Sequence, residues 1–172
     1  MANPGQAVAR AAIAAWFSPS QIPGLATTYR SAPTIIPASA YTLASGAGSG
    51  SVLVVHLPSA HEVRVAMGGP TSGEKFAKYD LALEVKFRSV KTDAMAAQAD
   101  QDALIDAIYA RWRQDRTFGT SPKKYTGSNA TIWQAGEGAA GIEMVQAQAI
   151  LDDNTVIISA VITGEVWLYI AA

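Results

Sequence analysis

The apolar positions of this chain keep two different periods, and the change from one to the other marks its elements. Residues 78–90, "KYDLALEVKFRSV", alternate without a slip: Tyr79, Leu81, Leu83, Val85 and Phe87 fall on one side, Asp80, Glu84, Lys86 and Arg88 on the other. A period of two belongs to a strand with one face buried and one wet. Residues 61–67, "HEVRVAM", repeat the pattern, with Val63, Val65 and Met67 opposed to Glu62, Arg64 and Ala66. Before them, "SVLVVHL" (51–57) is a continuous apolar run of the kind found in buried strands. Pro58, Ser59 and Ala60 are expected to turn the chain between these two strands, and the glycine-rich "GGPTSGEK" (68–75) to form a tip after the second.

Two segments keep the helical period instead. In residues 5–17, Val8, Ala12, Ala15 and Trp16 recur at helical spacing, Pro4 suits a first turn, and Pro19, Pro23 and Gly24 end the element. In residues 93–116, Leu104, Ile105, Ile108, Tyr109 and Trp112 form a stripe, which places Trp112 in the core. Asp93, Asp100 and Asp102 lie toward the start of that helix and Arg111, Arg113 and Arg116 at its end, the order that complements a helix dipole; Gly119 is a fitting stop. Strand patterns return at 131–135, 142–151 and 155–170, with Asp152, Asp153 and Asn154 as the turn between the last two and Gly164 as a bend in the last. Residues 18–51 are punctuated by Pro33, Pro37 and "SGAGSGS" (45–51), and "TIIPASAY" (34–41) is expected to be a short edge strand. The expected fold is α+β: a largely antiparallel sheet packed against a main helix at about 93–116 and a short N-terminal helix. It forms one domain over 1–172, with 18–51 as a loop-rich excursion.

Composition narrows the function classes. The 172 residues are 49% apolar and 16% charged, which excludes a disordered chain. The net charge of −1 does not suit tight nucleic-acid binding, and the arginines at 111, 113 and 116 with Lys123 and Lys124 read as a solvated helix end. There is no cysteine, so disulfides, thiolate metal sites and thiol catalysis are excluded. No run of about 18 apolar residues is present, so no helix is expected to span a membrane. Arg10 lies inside the first apolar stretch and not ahead of it, so no secretory leader is expected.

Three stretches imitate catalytic motifs. "GEGAAG" (136–141) has the dinucleotide spacing, but only 31 residues follow Gly141 and they read as a hairpin, not as a further βαβ unit. "GGPTSGEK" misses the phosphate loop, because Glu74 stands where lysine is required and Phe76 where a hydroxyl is required. "SGEK" (72–75) lacks the partner motifs of the serine acylases. His56 and His61 flank the expected turn; a third metal ligand is lacking, and a half-buried hydrogen-bonding role fits better. Catalytic, cofactor-binding and metal residues are therefore expected to be none.

The order of these elements resembles the tail terminator, or tail completion, proteins of long-tailed, non-contractile bacteriophages. The resemblance covers about residues 5–17 and 52–170. It rests on "LALEVKFRSV" leading through "DQDALIDAIYARWRQDRTFGT", and most of it is carried by that helix ending in "RTFG" (116–119) followed by "GIEMVQAQAIL" and "VIISAVITGEVWLYI". It implies a structural virion protein without a cofactor, assembled in the host cytoplasm as a hexameric ring of identical copies. The ring would cap the tail tube, end its polymerisation and join the tail to the head-side connector or stopper. The implied partners are a second copy, the major tail tube protein and the connector, with DNA passing through the ring without specific binding.

The glycine-rich tip and the glycine-serine tract are the candidate contacts with these partners, through Gly69, Pro70, Thr71, Ser72, Glu74 and Lys75 in the first and Ser45 and Ser49 in the second. A different neck component, a tube subunit, or a small enzyme with an unrecognised site remain the alternatives at this point.

Overall fold

The computed structural model describes residues 4–46, 49–64, 74–90, 93–120, 130–136, 141–147, 150–152 and 155–171. The alternating segment around residue 84 lies in β3 (Glu74–Ser89), and the sheet is built outward from it. On one side β3 pairs antiparallel with β2 (Gly50–Arg64); on the other it pairs antiparallel with β7 (Thr155–Ala171). A short strand, β1 (Leu25–Tyr29), lies parallel along the outer side of β2.

The far side of β7 is covered by three pieces in succession: β4 (Ala130–Gly136) beside residues 165–170, β5 (Glu143–Gln146) beside 160–163, and β6 (Ile150–Asp152) beside 155–157. All three run antiparallel to β7. Together β4, β5 and β6 complete a sheet of seven strands among the described residues. "GEGAAG" falls at the junction of β4 and β5: Gly136 pairs with Glu165 and Glu143 with Thr163, so the chain advances seven residues against two on β7. Gly141 there has φ +77° with open space where a side chain would stand.

α1 (Pro4–Trp16) and α2 (Ala94–Gln114) pack on the same face of the sheet. That face contributes Leu53, Val55 and Leu57 from β2, Tyr79, Leu81, Leu83, Val85 and Phe87 from β3, and Val156, Ile158, Ala160, Ile162, Val166 and Leu168 from β7. From α2 come Leu104, Ile105, Ile108 and Trp112, the expected stripe, with Tyr109 flanking the core. Asp93 caps α2, its carboxylate accepting from the amide of Met95 at 2.9 Å. The α+β architecture with both helices on a mainly antiparallel sheet is the expected one.

Several local expectations change. Residues 58–60 do not turn: β2 runs straight through them. Its register shifts between His56, opposite Ala82, and Ser59, opposite Asp80, which is one extra residue on β2. Pro58 cannot donate to a ladder, and a bulge is where a strand tolerates it. "TIIPASAY" is not a strand; Pro37 instead opens a 3-10 helix, Ala38–Tyr41. The edge strand of the excursion is β1, eight residues upstream of Pro37. Gly164 marks no bulge toward β3, since β7 stays in unbroken register with β3 from Val156 to Ala171. In α1 the buried side is turned by about one position: Ala9, Ile13, Ala14 and Phe17 are buried, while Val8 and Ala15 are exposed.

The opposite face of the sheet has a smaller cluster of its own. Ala40 and Tyr41 fold over Val52 and Val54, flanked by Tyr29 and Ile36. The approach is close enough that any side chain at Gly50 would run into the carbonyl of Tyr41. The excursion therefore covers the β1–β2 end of this face, and among the described residues nothing packs over the rest.

Candidate functional site

The stretch "RTFG" closes α2 and ties both helices together. Phe118 and Gly119 adopt φ of +49° and +71°, unfavourable for the phenylalanine. The turn is held by Asp115, whose carboxylate accepts from the Thr117 amide (2.8 Å), the Thr117 hydroxyl (2.8 Å) and the Gly119 amide (3.0 Å). The Thr117 amide is the chief reason the Asp115 carboxyl lies below its ordinary range; its slight burial works the other way, and the Thr117 hydroxyl, Gly119 and Arg111 add to the lowering.

What the strained turn achieves is the placement of the Phe118 ring among Phe17, Trp112 and Trp16, at centroid distances of 5.2, 5.6 and 6.3 Å. Trp16 and Arg111 are bonded reciprocally. The indole Nε1 donates to the Arg111 carbonyl at 3.0 Å, Nε of Arg111 donates to the Trp16 carbonyl at 3.2 Å, and the guanidinium lies 3.4 Å from the ring centroid. Arg111 is therefore not part of a solvated helix end, whereas Arg113 and Arg116 are exposed as expected.

The bare side of the sheet carries the polar half of the β3 alternation. Its middle is an ion-pair network: Glu84 accepts from His56 at 3.0 Å and lies 3.1 Å from Nζ of Lys86. Burial on its own would raise the Glu84 carboxyl, but the hydrogen bonds from His56 and Lys86 outweigh it and hold it below the ordinary range. One end of the face is basic, with Lys86 and Arg88. The other is mainly acidic, with Asp80, bonded to the Ser59 hydroxyl, Glu143 and Glu165; Lys78 contacts Glu165 at 2.6 Å and lies 5.8 Å from the Trp167 ring. Between the ends run half-buried Ala82, Ile157, Ser159, Val161 and Thr163, continued outward by Val145 and Ile150, which are 72% and 64% exposed. Exposed aliphatic side chains at a sheet edge, beside a half-buried apolar strip, mark a surface built for contact.

The outer side of α2 is of another kind. Ala99, Asp102, Ala103, Asp106, Ala110 and Arg113 are exposed and fall on one stripe, opposite the buried one. It is smooth, acidic in its first half and basic at its end.

Of the expected contact residues, Gly69, Pro70, Thr71 and Ser72 lie outside the described residues. Glu74 and Lys75 begin β3, paired with Ala171 and Ile170 of β7. Ser45 is exposed in a turn closed by the Gly46 amide donating to Leu43 at 2.8 Å. Ser49 is partly committed within the fold, its hydroxyl accepting from the Val90 amide at 3.1 Å. The two serines thus sit four residues apart in the tract and share no described contact. His61 is exposed and apart from the Glu84 network; His56 has the half-buried, hydrogen-bonded role expected of it.

No protein-family model matches the chain, and no curated protein matches it. Among solved structures, a chain from the virion of a native gene transfer agent particle superimposes over 92% of this chain and 93% of that chain, at 13% identity and a TM-score of 0.33. A superposition that loose carries no argument about this chain.

Proposed function

We propose that this chain is the terminator subunit of a long-tailed, phage-like particle: a structural protein that closes into a six-fold ring over the end of the tail tube and receives the head-side connector. The observation that carries the reading is the "RTFG" turn. This helix end, which carries most of the sequence resemblance together with the two strand segments that follow it, is also the junction where Phe118 on its strained backbone, Asp115 and the Trp16–Arg111 pair fasten both helices. The element order around it supports the same reading, with an N-terminal helix, a long β2–β3 hairpin, α2 and a terminal hairpin. A ring of identical copies needs two different surfaces on each copy, and the bare sheet and the outer side of α2 differ in this way. The tip at 69–75 and the tract at 45–50 are proposed to reach the tube or the connector.

The test is the length distribution of tail tubes polymerised from the tube protein of the same particle, with and without this chain. A terminator caps the tubes and stops their growth at low molar ratios. Tubes that keep growing beside it, or that take it up along their length, contradict the reading. Replacing residues 69–73 or 45–48 by a two-residue bridge, which spares the paired Glu74 and the packed Ser49 and Gly50, should leave the fold intact and weaken capping.

A further inference from the structure

We infer that the bare sheet face receives the outer side of α2 from a second copy of this chain. The inference rests on the ring reading for closure alone; the contact itself stands on two surfaces already described. They lie on opposite sides of the molecule, because both helices cover one face of the sheet and leave the other bare. A contact between opposite sides is heterologous and propagates from copy to copy, closing into a ring when the rotation permits.

Charge commits the face to this occupant. One end of the sheet face carries Lys86 and Arg88 against the single carboxylate of Glu84, which leaves it net basic; the other carries Asp80, Glu143 and Glu165 against the single ammonium of Lys78, which leaves it net acidic. The α2 stripe is acidic at Asp102 and Asp106 and basic at Arg113. Six residues separate Lys86 from Asp80, about 20 Å along a strand. Eleven separate Asp102 from Arg113, about 17 Å along a helix. Laid in one direction, each charged end of the helix meets its opposite on the sheet; laid in the other, like charges meet at both ends. The alanines between Asp102 and Arg113 let the helix approach the strip formed by Ala82, Ile157 and Val161. Charges placed in this way fix partner and register more than they add affinity.

Two reversals and their combination test the contact, read by sedimentation velocity over a range of concentrations, with thermal melts to confirm folding. Asp102→Lys with Asp106→Lys reverses the helix; Lys86→Glu with Arg88→Glu reverses the sheet. Either pair alone should weaken self-association by about tenfold or more. All four changes in one chain, or the two variants mixed, should restore it. If the sheet-side pair fails to fold, Arg88→Glu set against Asp106→Lys makes the same comparison. Rings that form undiminished with either reversal overturn this contact and leave the ring reading standing. Open filaments that dissolve on reversal and return on combination uphold the contact and overturn the terminator reading. A wild-type chain that stays monomeric at every concentration overturns both.

Discussion

The two sides of β3 are made of opposite materials although they share one backbone. Facing the helices, Tyr79, Leu81, Leu83, Val85 and Phe87 are all at most 4% exposed and belong to the main apolar core. Facing away, Glu84 and Lys86 are half-buried and satisfied by one another and by His56. The first side holds the fold together through area removed from water. The second contributes little to stability, since ion pairs with this much exposure are worth about 0–1 kcal/mol. A sheet that leaves a charged face half-buried and open has kept that face for something else, and substitutions on the two sides should separate accordingly.

The largest effect is expected on the helix side. Trp112 is 2% exposed and lies 5.9 Å from the Phe17 ring and 5.6 Å from Phe118. Trp112→Ala should cost about 3–5 kcal/mol in urea denaturation; a loss below about 1 kcal/mol would show that the aromatic junction does not anchor the helices. Next comes Asp115→Ala, which removes the acceptor of three bonds from the strained turn and should cost about 2 kcal/mol. An unchanged melting midpoint would mean the turn is held by the Phe118 ring alone. Gly119→Ala places a methyl group at φ +71° and 3.1 Å from the Trp16 ring. About 1–2 kcal/mol is expected in urea denaturation, and an unchanged midpoint would show that the turn accommodates the methyl group without displacing Trp16.

The smallest effect belongs to the bare side. Glu84→Gln should change stability at neutral pH by about 0.5 kcal/mol or less. Its signature is the acid limb. The folded carboxyl lies below its ordinary 4.5, so its contribution is present above that value and disappears as pH falls through the lower folded value. The variant should lose that part of the pH dependence and retain the part due to Asp115, which has the same sign below its ordinary 3.8. An acid limb identical to wild type would remove Glu84 from the account.

How much of this was legible in the sequence follows from the range of the interactions involved. The alternation of β3 and the stripe of α2 are local and periodic, and both are present where the pattern puts them. Proline between two apolar runs usually marks a turn, as the pattern predicts at Pro58; only the partner strand decides that the extra residue becomes a bulge. β1 is short and its threonines bond outside the sheet, Thr27 to the Ala40 carbonyl and Thr28 to that of Phe17, so no period announces it. Gln101 stands within the apolar stripe of α2, fully buried, accepting from Gln146 at 3.2 Å across to β5. Its polarity argued against burial, and the partner lies 45 residues away. The reciprocal bonding of Trp16 and Arg111 spans 95 residues; the aromatic and cationic types were visible, but nothing local joins them. For the candidate surfaces, the charge order along α2 and β3 was readable, while their placement on opposite sides of one molecule required the fold.

Electron-microscopy class averages of the purified wild-type chain, concentrated and imaged alone and on tube ends, test the central claim most directly. The account predicts a closed ring of identical copies, seated singly at tube ends, with the helix layer of each copy against the bare sheet of the next. Isolated monomers on tubes of unaltered length, or open filaments with no closure, would contradict it.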